Sequence, residues 1–163
     1  MENPYDSNKR GELGLQMNID YAWDHLLYNG KYYSYYGIAP VLLLFMPYHL
    51  ITGYYFPTVI AVYLFAMAGI FFLSRIYIAF IERWFKDIPQ GMAAVGIIIM
   101  LASCGIWFSV ARPEFYEAAI SAGFACICSG MYFLITSNIL SEGKISLKRL
   151  ALSTVLLSLG VLS

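Results

Sequence analysis

The chain has 163 residues, of which 60% are hydrophobic and only 12% charged, about half the charged fraction usual in soluble domains. Ten Lys and Arg balance ten Asp and Glu, so no net positive field argues for nucleic acid as a partner. Cys104, Cys126 and Cys128 all fall inside apolar blocks. They lack the polar neighbours or paired loop positions of a metal site or disulfide framework, and read as small core residues.

Residues 1–36 are polar and tyrosine-rich, and Met1 opens them without the basic-then-apolar pattern of a signal peptide. Asp6 lies in Asn3-Pro4-Tyr5-Asp6, a turn-like setting. From Ile19 to Tyr28 the spacing predicts a helix. Ile19, Ala22, Trp23, Leu26 and Leu27 share one side, and Asp20 and Asp24, four apart, share another. Such a segment reads as an interfacial amphipathic helix with a solvated acidic face. Two carboxylates so placed could also share a divalent cation, or one could take a proton from an acceptor hydroxyl. The tyrosine cluster from Tyr28 to Tyr36 suits a membrane–water boundary. Its rings and hydroxyls, Tyr32 and Tyr33 among them, equally suit a sugar or lipid head group, and Lys31 could meet a phosphate.

Gly37 to Thr52 is a short apolar block carrying Pro40, Pro47 and His49. At about 1.5 Å per residue it barely reaches across a hydrocarbon core of about 30 Å. It is expected to lie in the interface or re-enter the membrane rather than span it. Phe56–Phe80 is long enough to span, with Pro57 expected in its first turn. Gly91–Val110 and Ala118–Thr136 are the next two expected spans, and Leu150–Ser163 reads as a shortened fourth. The fold class expected is therefore all-α: a polytopic helical membrane protein with a polar or interfacial segment at its head.

Basic residues set the expected orientation. Arg83 and Lys86 follow the first clear span, and Lys144, Lys148 and Arg149 follow the third, whereas the loop between holds only Arg112. Residues 81–90 and 137–149 are expected in the cytoplasm and 111–117 outside. In Arg112-Pro113-Glu114-Phe115-Tyr116-Glu117, Pro113 is expected in the first helical turn, with the glutamates complementing the helix dipole. Arg112 could also hold an anionic group. Ala118, Ala122, Cys126 and Gly130 form a small-residue stripe suited to helix packing. If 37–52 spans, the head is cytoplasmic; if it only rests at the interface, the head lies outside and calls for an upstream helix. Together with the shortened last block, this makes a fragment of a larger protein the expected reading.

Asp20-Tyr21-Ala22, Tyr28-Asn29-Gly30-Lys31-Tyr32-Tyr33-Ser34-Tyr35-Tyr36-Gly37-Ile38-Ala39-Pro40, Pro47-Tyr48 and Thr52-Gly53 resemble the first extracytoplasmic loop of bacterial multi-pass glycosyltransferases of the GT-C class. That group includes the protein-mannosyltransferase-like and RgtA/B/C/D-like enzymes. Asn3-Pro4-Tyr5-Asp6 and Ala111-Arg112-Pro113-Glu114 fit it as well. The resemblance implies a catalytic carboxylate in the loop, with Asp6, Asp20 and Asp24 as its candidates, then a proline-containing juxtamembrane helix over 37–52. It further implies a polyprenyl-phosphate-linked sugar donor at the outer face, with basic residues such as Lys31 and Arg112 steadying the phosphate. It names no cofactor; a divalent cation remains possible and no protein metal site is assigned. The alternative is a non-enzymatic membrane subunit or small transporter component. Against a transporter, 91–110 and 118–136 carry no ionisable side chain besides Cys and Tyr.

Overall fold

The structure, a computed structural model, describes residues 25–28, 31–34, 37–139 and 144–163. The chain divides into two units, Met1–Tyr35 and Tyr36–Ser163. In the first, His25–Tyr28 (β1) and Lys31–Ser34 (β2) pair antiparallel, with Leu26 opposite Tyr33, Leu27 opposite Tyr32 and Tyr28 opposite Lys31. The helix expected over Ile19–Tyr28 is therefore replaced by a strand across His25–Tyr28. The sequence carries the reason. Tyr28 and Lys31 flank Asn29-Gly30, the pair most favoured between hairpin strands, and tyrosine is a strand former. The all-α expectation holds for the second unit, whose described elements are all helices.

That unit opens with Val41–Phe45, a π-turn in which the Met46 N–H bonds to the Val41 carbonyl five residues back, and continues as Met46–Thr52 (α1). Pro47 accounts for the loosened turn: it has no N–H to offer Leu43, and its ring crowds that carbonyl. Gly53 ends α1 at φ 74°, its N–H donating to the His49 carbonyl at 2.8 Å, a left-handed cap that a residue without Cβ adopts freely.

Thr58–Trp84 (α2) has 27 residues, about 40 Å of helix. It runs on to Trp84, past the expected end at Phe80, because Glu82 and Arg83 extend the last turn without breaking it. Pro57 stands just before the helix in extended backbone, with ψ 125°, rather than in its first turn.

The expected span 91–110 is two helices. Gln90–Ser103 (α3) and Ile106–Ala111 (α4) are separated at Cys104-Gly105, where Cys104 turns extended at ψ 130°. In an unbroken helix Gly105 would donate to the Leu101 carbonyl. Here Trp107 Nε1 donates to it at 2.6 Å and Cys104 Sγ at 3.1 Å, so side chains satisfy the acceptor that the break frees.

Phe115–Thr136 (α5) starts ahead of the expected Ala118. Glu114 is its N-cap residue, in extended backbone, so Pro113 precedes the helix instead of lying in its first turn. Leu147–Val161 (α6) likewise starts ahead of Leu150. Its first turn holds Lys148 and Arg149, against the helix dipole. Arg149 offsets this by donating from Nη1 to the Thr136 carbonyl at 2.8 Å, at the end of α5.

α5 is the central helix, flanked by α2 and α6. Gly69 of α2 lies against the Phe124 ring, and farther along Phe72 meets Tyr132 and Phe133 at 5.6 and 5.9 Å. The two helices advance together, so they run parallel. α6 runs back: Leu157 sits over Gly130, Gly160 against Ile127, and Ser163 beside Gly123. Ser153 Oγ donates to the Gly130 carbonyl at 2.8 Å across the same contact. Ala118, Ala122, Cys126 and Gly130 are all buried, so the small-residue stripe does pack helices. Small residues are inside and large apolar ones outside: Phe71 is 59% exposed, Ile98 66% and Phe108 83%.

Candidate functional site

Because α2 and α5 run together and α6 returns, the starts of α2 and α5 and the end of α6 share one end of the helical unit. The Ile38 N–H donates to the Leu162 carbonyl at 2.9 Å, holding the first residues of the unit there. Phe45 stacks on Phe115 with centroids 6.0 Å apart, and Phe56 meets Tyr48 edge-on at 4.9 Å. These contacts join the π-turn and α1 to the starts of α2 and α5. His49 stacks on Tyr55 at 4.9 Å, and its Nδ1 lies 3.3 Å from the Tyr54 carbonyl. The ring is thus tied to the turn that follows α1.

Arg112 lies at this end, exposed, in the bend between α4 and α5, where its carbonyl accepts from the Glu114 N–H at 2.8 Å. Glu114 is exposed as well. Glu117 is different: its Oε2 is buried without a hydrogen-bond partner, and so is the Oγ of Ser121, one turn farther along. The two residues face α2, because Phe124, one more turn along the same side, is the residue against Gly69. Sequence reasoning treated Glu117 as a helix-dipole residue and passed over Ser121. The available signal was a carboxylate and a hydroxyl four apart at the start of an otherwise apolar helix.

The opposite end is basic. Arg83, Lys86, Lys144, Lys148 and Arg149 are all exposed there, and the Arg83 guanidinium lies 4.9 Å above the Trp84 ring.

Of the other residues singled out in the sequence, Asp6, Asp20 and Asp24 lie outside the described residues. Lys31, Tyr32 and Tyr33 are on β2 of the first unit, whereas Arg112 belongs to the second. Among the described residues no three His, Cys, Asp or Glu side chains gather as a metal-ligand group. Cys104, Cys126 and Cys128 are free thiols, the last two buried. No known protein family, characterised protein or solved structure matches the chain. Among the described residues two helices, α2 and α5, are long and apolar enough to cross a membrane.

Proposed function

We propose that the chain belongs to a multi-pass membrane glycosyltransferase that takes a sugar from a polyprenyl-phosphate carrier at the extracytoplasmic face. The observation that carries the membrane part is the inverted burial of the helical unit. Its interior is mostly Ala, Gly, Ser and Cys, with Val62 and Ile106 the larger residues among them, while most Leu, Ile, Phe and Met lie toward the outside. Water would drive the large apolar side chains inward; lipid leaves them at the surface and favours close backbone approach over small residues.

The glycosyltransferase part rests on the resemblance of residues 3–53 and 111–114 to the GT-C class. It is supported by the order of the elements, since a short proline-containing helix, α1, comes directly before the long α2. In this reading one of Asp6, Asp20 and Asp24 activates the acceptor hydroxyl. Lys31 is the candidate phosphate contact of the first unit and Arg112 that of the second, each taken by itself, and Tyr32 and Tyr33 suit a sugar or lipid head group. The membrane reading also places the end holding Arg112 and Glu114 outside the cell, and the basic end inside.

The test is sugar transfer in cells expressing the native gene, with Asp6→Asn, Asp20→Asn and Asp24→Asn made one at a time. At least one variant loses transfer by about 100-fold or more, the scale of a lost general base. Three variants that all keep wild-type transfer would end the catalytic assignment.

A further inference from the structure

We infer that Glu117 and Ser121 form a binding site for a ligand hydroxyl, at the end of the helical unit where α5 begins. Four acidic residues are described, and their settings differ. Glu82 and Asp87 are exposed at the basic end, and Glu114 is exposed beside Arg112. Only Glu117 among them has a carboxylate oxygen shut off from solvent with no donor to meet it. Ser121, fully buried, is unpaired in the same way, although a serine within a helix ordinarily donates to the carbonyl four residues back. Elsewhere in this chain that bond forms: Ser129 Oγ donates to the Ala125 carbonyl at 2.7 Å, and Ser74 Oγ to Ile70 at 2.9 Å. Two unpaired polar atoms one turn apart, on one face of one helix, are costly unless something joins them.

The chemistry of the pair selects the partner. A carboxylate oxygen accepts and a serine hydroxyl can donate, so one ligand hydroxyl, which does both, completes both. A metal ion would require more oxygens than these two, and among the described residues no group of three His, Cys, Asp or Glu side chains includes Glu117. The surroundings favour an uncharged group. Counting back along the parallel helices from Gly69 beside Phe124, the residues of α2 alongside are Ala66 and Val62, both buried. In these apolar surroundings the hydroxyl is that of a lipid-phase alcohol. The inference is independent of sugar transfer and survives if that reading fails.

The test uses the whole chain in phosphatidylcholine nanodiscs, labelled with dicyclohexylcarbodiimide, which modifies carboxyls in apolar surroundings. Labelling of Glu117 is followed by peptide mass spectrometry in the presence of 1-decanol or of decyl methyl ether, which has the same chain without the donor. Decanol slows labelling by about fivefold, as expected when about four-fifths of the sites are filled, and the ether does not. In Ser121→Ala, decanol protects less. Equal slowing by both probes, equal labelling with and without decanol, unchanged protection in Ser121→Ala, or no labelling of Glu117 at all would each overturn the site.

Discussion

Gly53 and Gly130 resist substitution for different reasons, and the difference is measurable. At Gly53 a Cβ would meet nothing within 4 Å, but φ is 74°. Gly53→Ala therefore pays only the left-handed backbone cost, about 1–2 kcal/mol, with no change in packing. At Gly130 a Cβ would come within 2.8 Å of Leu157 Cγ and 3.1 Å of the Leu157 backbone nitrogen. The nearby backbone cannot swing aside as a side-chain tip can, so Gly130→Val forces α5 and α6 apart, at about 1–3 kcal/mol. Both variants lower the thermal midpoint of the detergent-solubilised protein. Only Gly130→Val also weakens the Ser153–Gly130 bond, and therefore speeds hydrogen exchange in both α5 and α6. Exchange unchanged in α6 would show that this contact does not hold the helices together.

The break between α3 and α4 is maintained by one indole. Trp107 Nε1 closes on the Leu101 carbonyl at 2.6 Å, the shorter of the two contacts that replace the missing helical bond. Trp107→Phe keeps the ring and removes the donor, leaving the weaker thiol contact from Cys104. The expected cost is about 1 kcal/mol, read as a lower unfolding midpoint together with faster amide exchange at Gly105 and Ile106. A variant as stable as the parent would mean that the break does not depend on the indole donor. This element was the least legible in the sequence. A run such as Val95 to Val110 has the same hydropathy whether its helix continues or stops, and Gly105 is only a weak hint. α2 and α5 were legible because long apolar blocks admit few alternatives. α2 starts later than expected because Pro57 stands before the helix, whereas α5 starts earlier than expected, because its first turn carries Glu117 and falls outside the apolar block. The strand at His25–Tyr28 was missed for another reason. A ten-residue segment can match both periods, and Asn29-Gly30, which favours the hairpin, lies just beyond Ile19–Tyr28. Of the site, Arg112 was placed correctly in an interhelical bend. The burial of Glu117 depends on α2 lying alongside α5, a contact that no local pattern reveals.

At the scale of the whole molecule, helix direction makes a prediction that charge counting alone cannot. α2 ends at Trp84 and α5 begins at Phe115, and the two helices run parallel, so residues 85–114 must return along the full length of the unit. α3, of 14 residues, and α4, of 6, supply about 21 Å and about 9 Å of that return. Lys86 and Lys148 consequently sit at one end and Glu114 at the other, whichever way the protein faces. Under the membrane reading proposed above, the excess of basic residues is expected to turn the Lys86 end toward the cytoplasm. The two statements can be tested together with single cysteines at Lys86, Glu114 and Lys148, in a chain whose Cys104, Cys126 and Cys128 are replaced by serine. An impermeant maleimide on intact cells labels the cysteine at Glu114, and labels those at Lys86 and Lys148 only once the cells are opened. A fourth cysteine at Ser34 follows Glu114 if residues 37–52 lie along the membrane surface, and follows Lys86 if they cross it. The complete pattern inverted would leave the helix arrangement intact and refute the orientation. Lys86 and Glu114 reacting from the same side would refute the crossing of the membrane itself, and the assignment of an extracytoplasmic site would go with it.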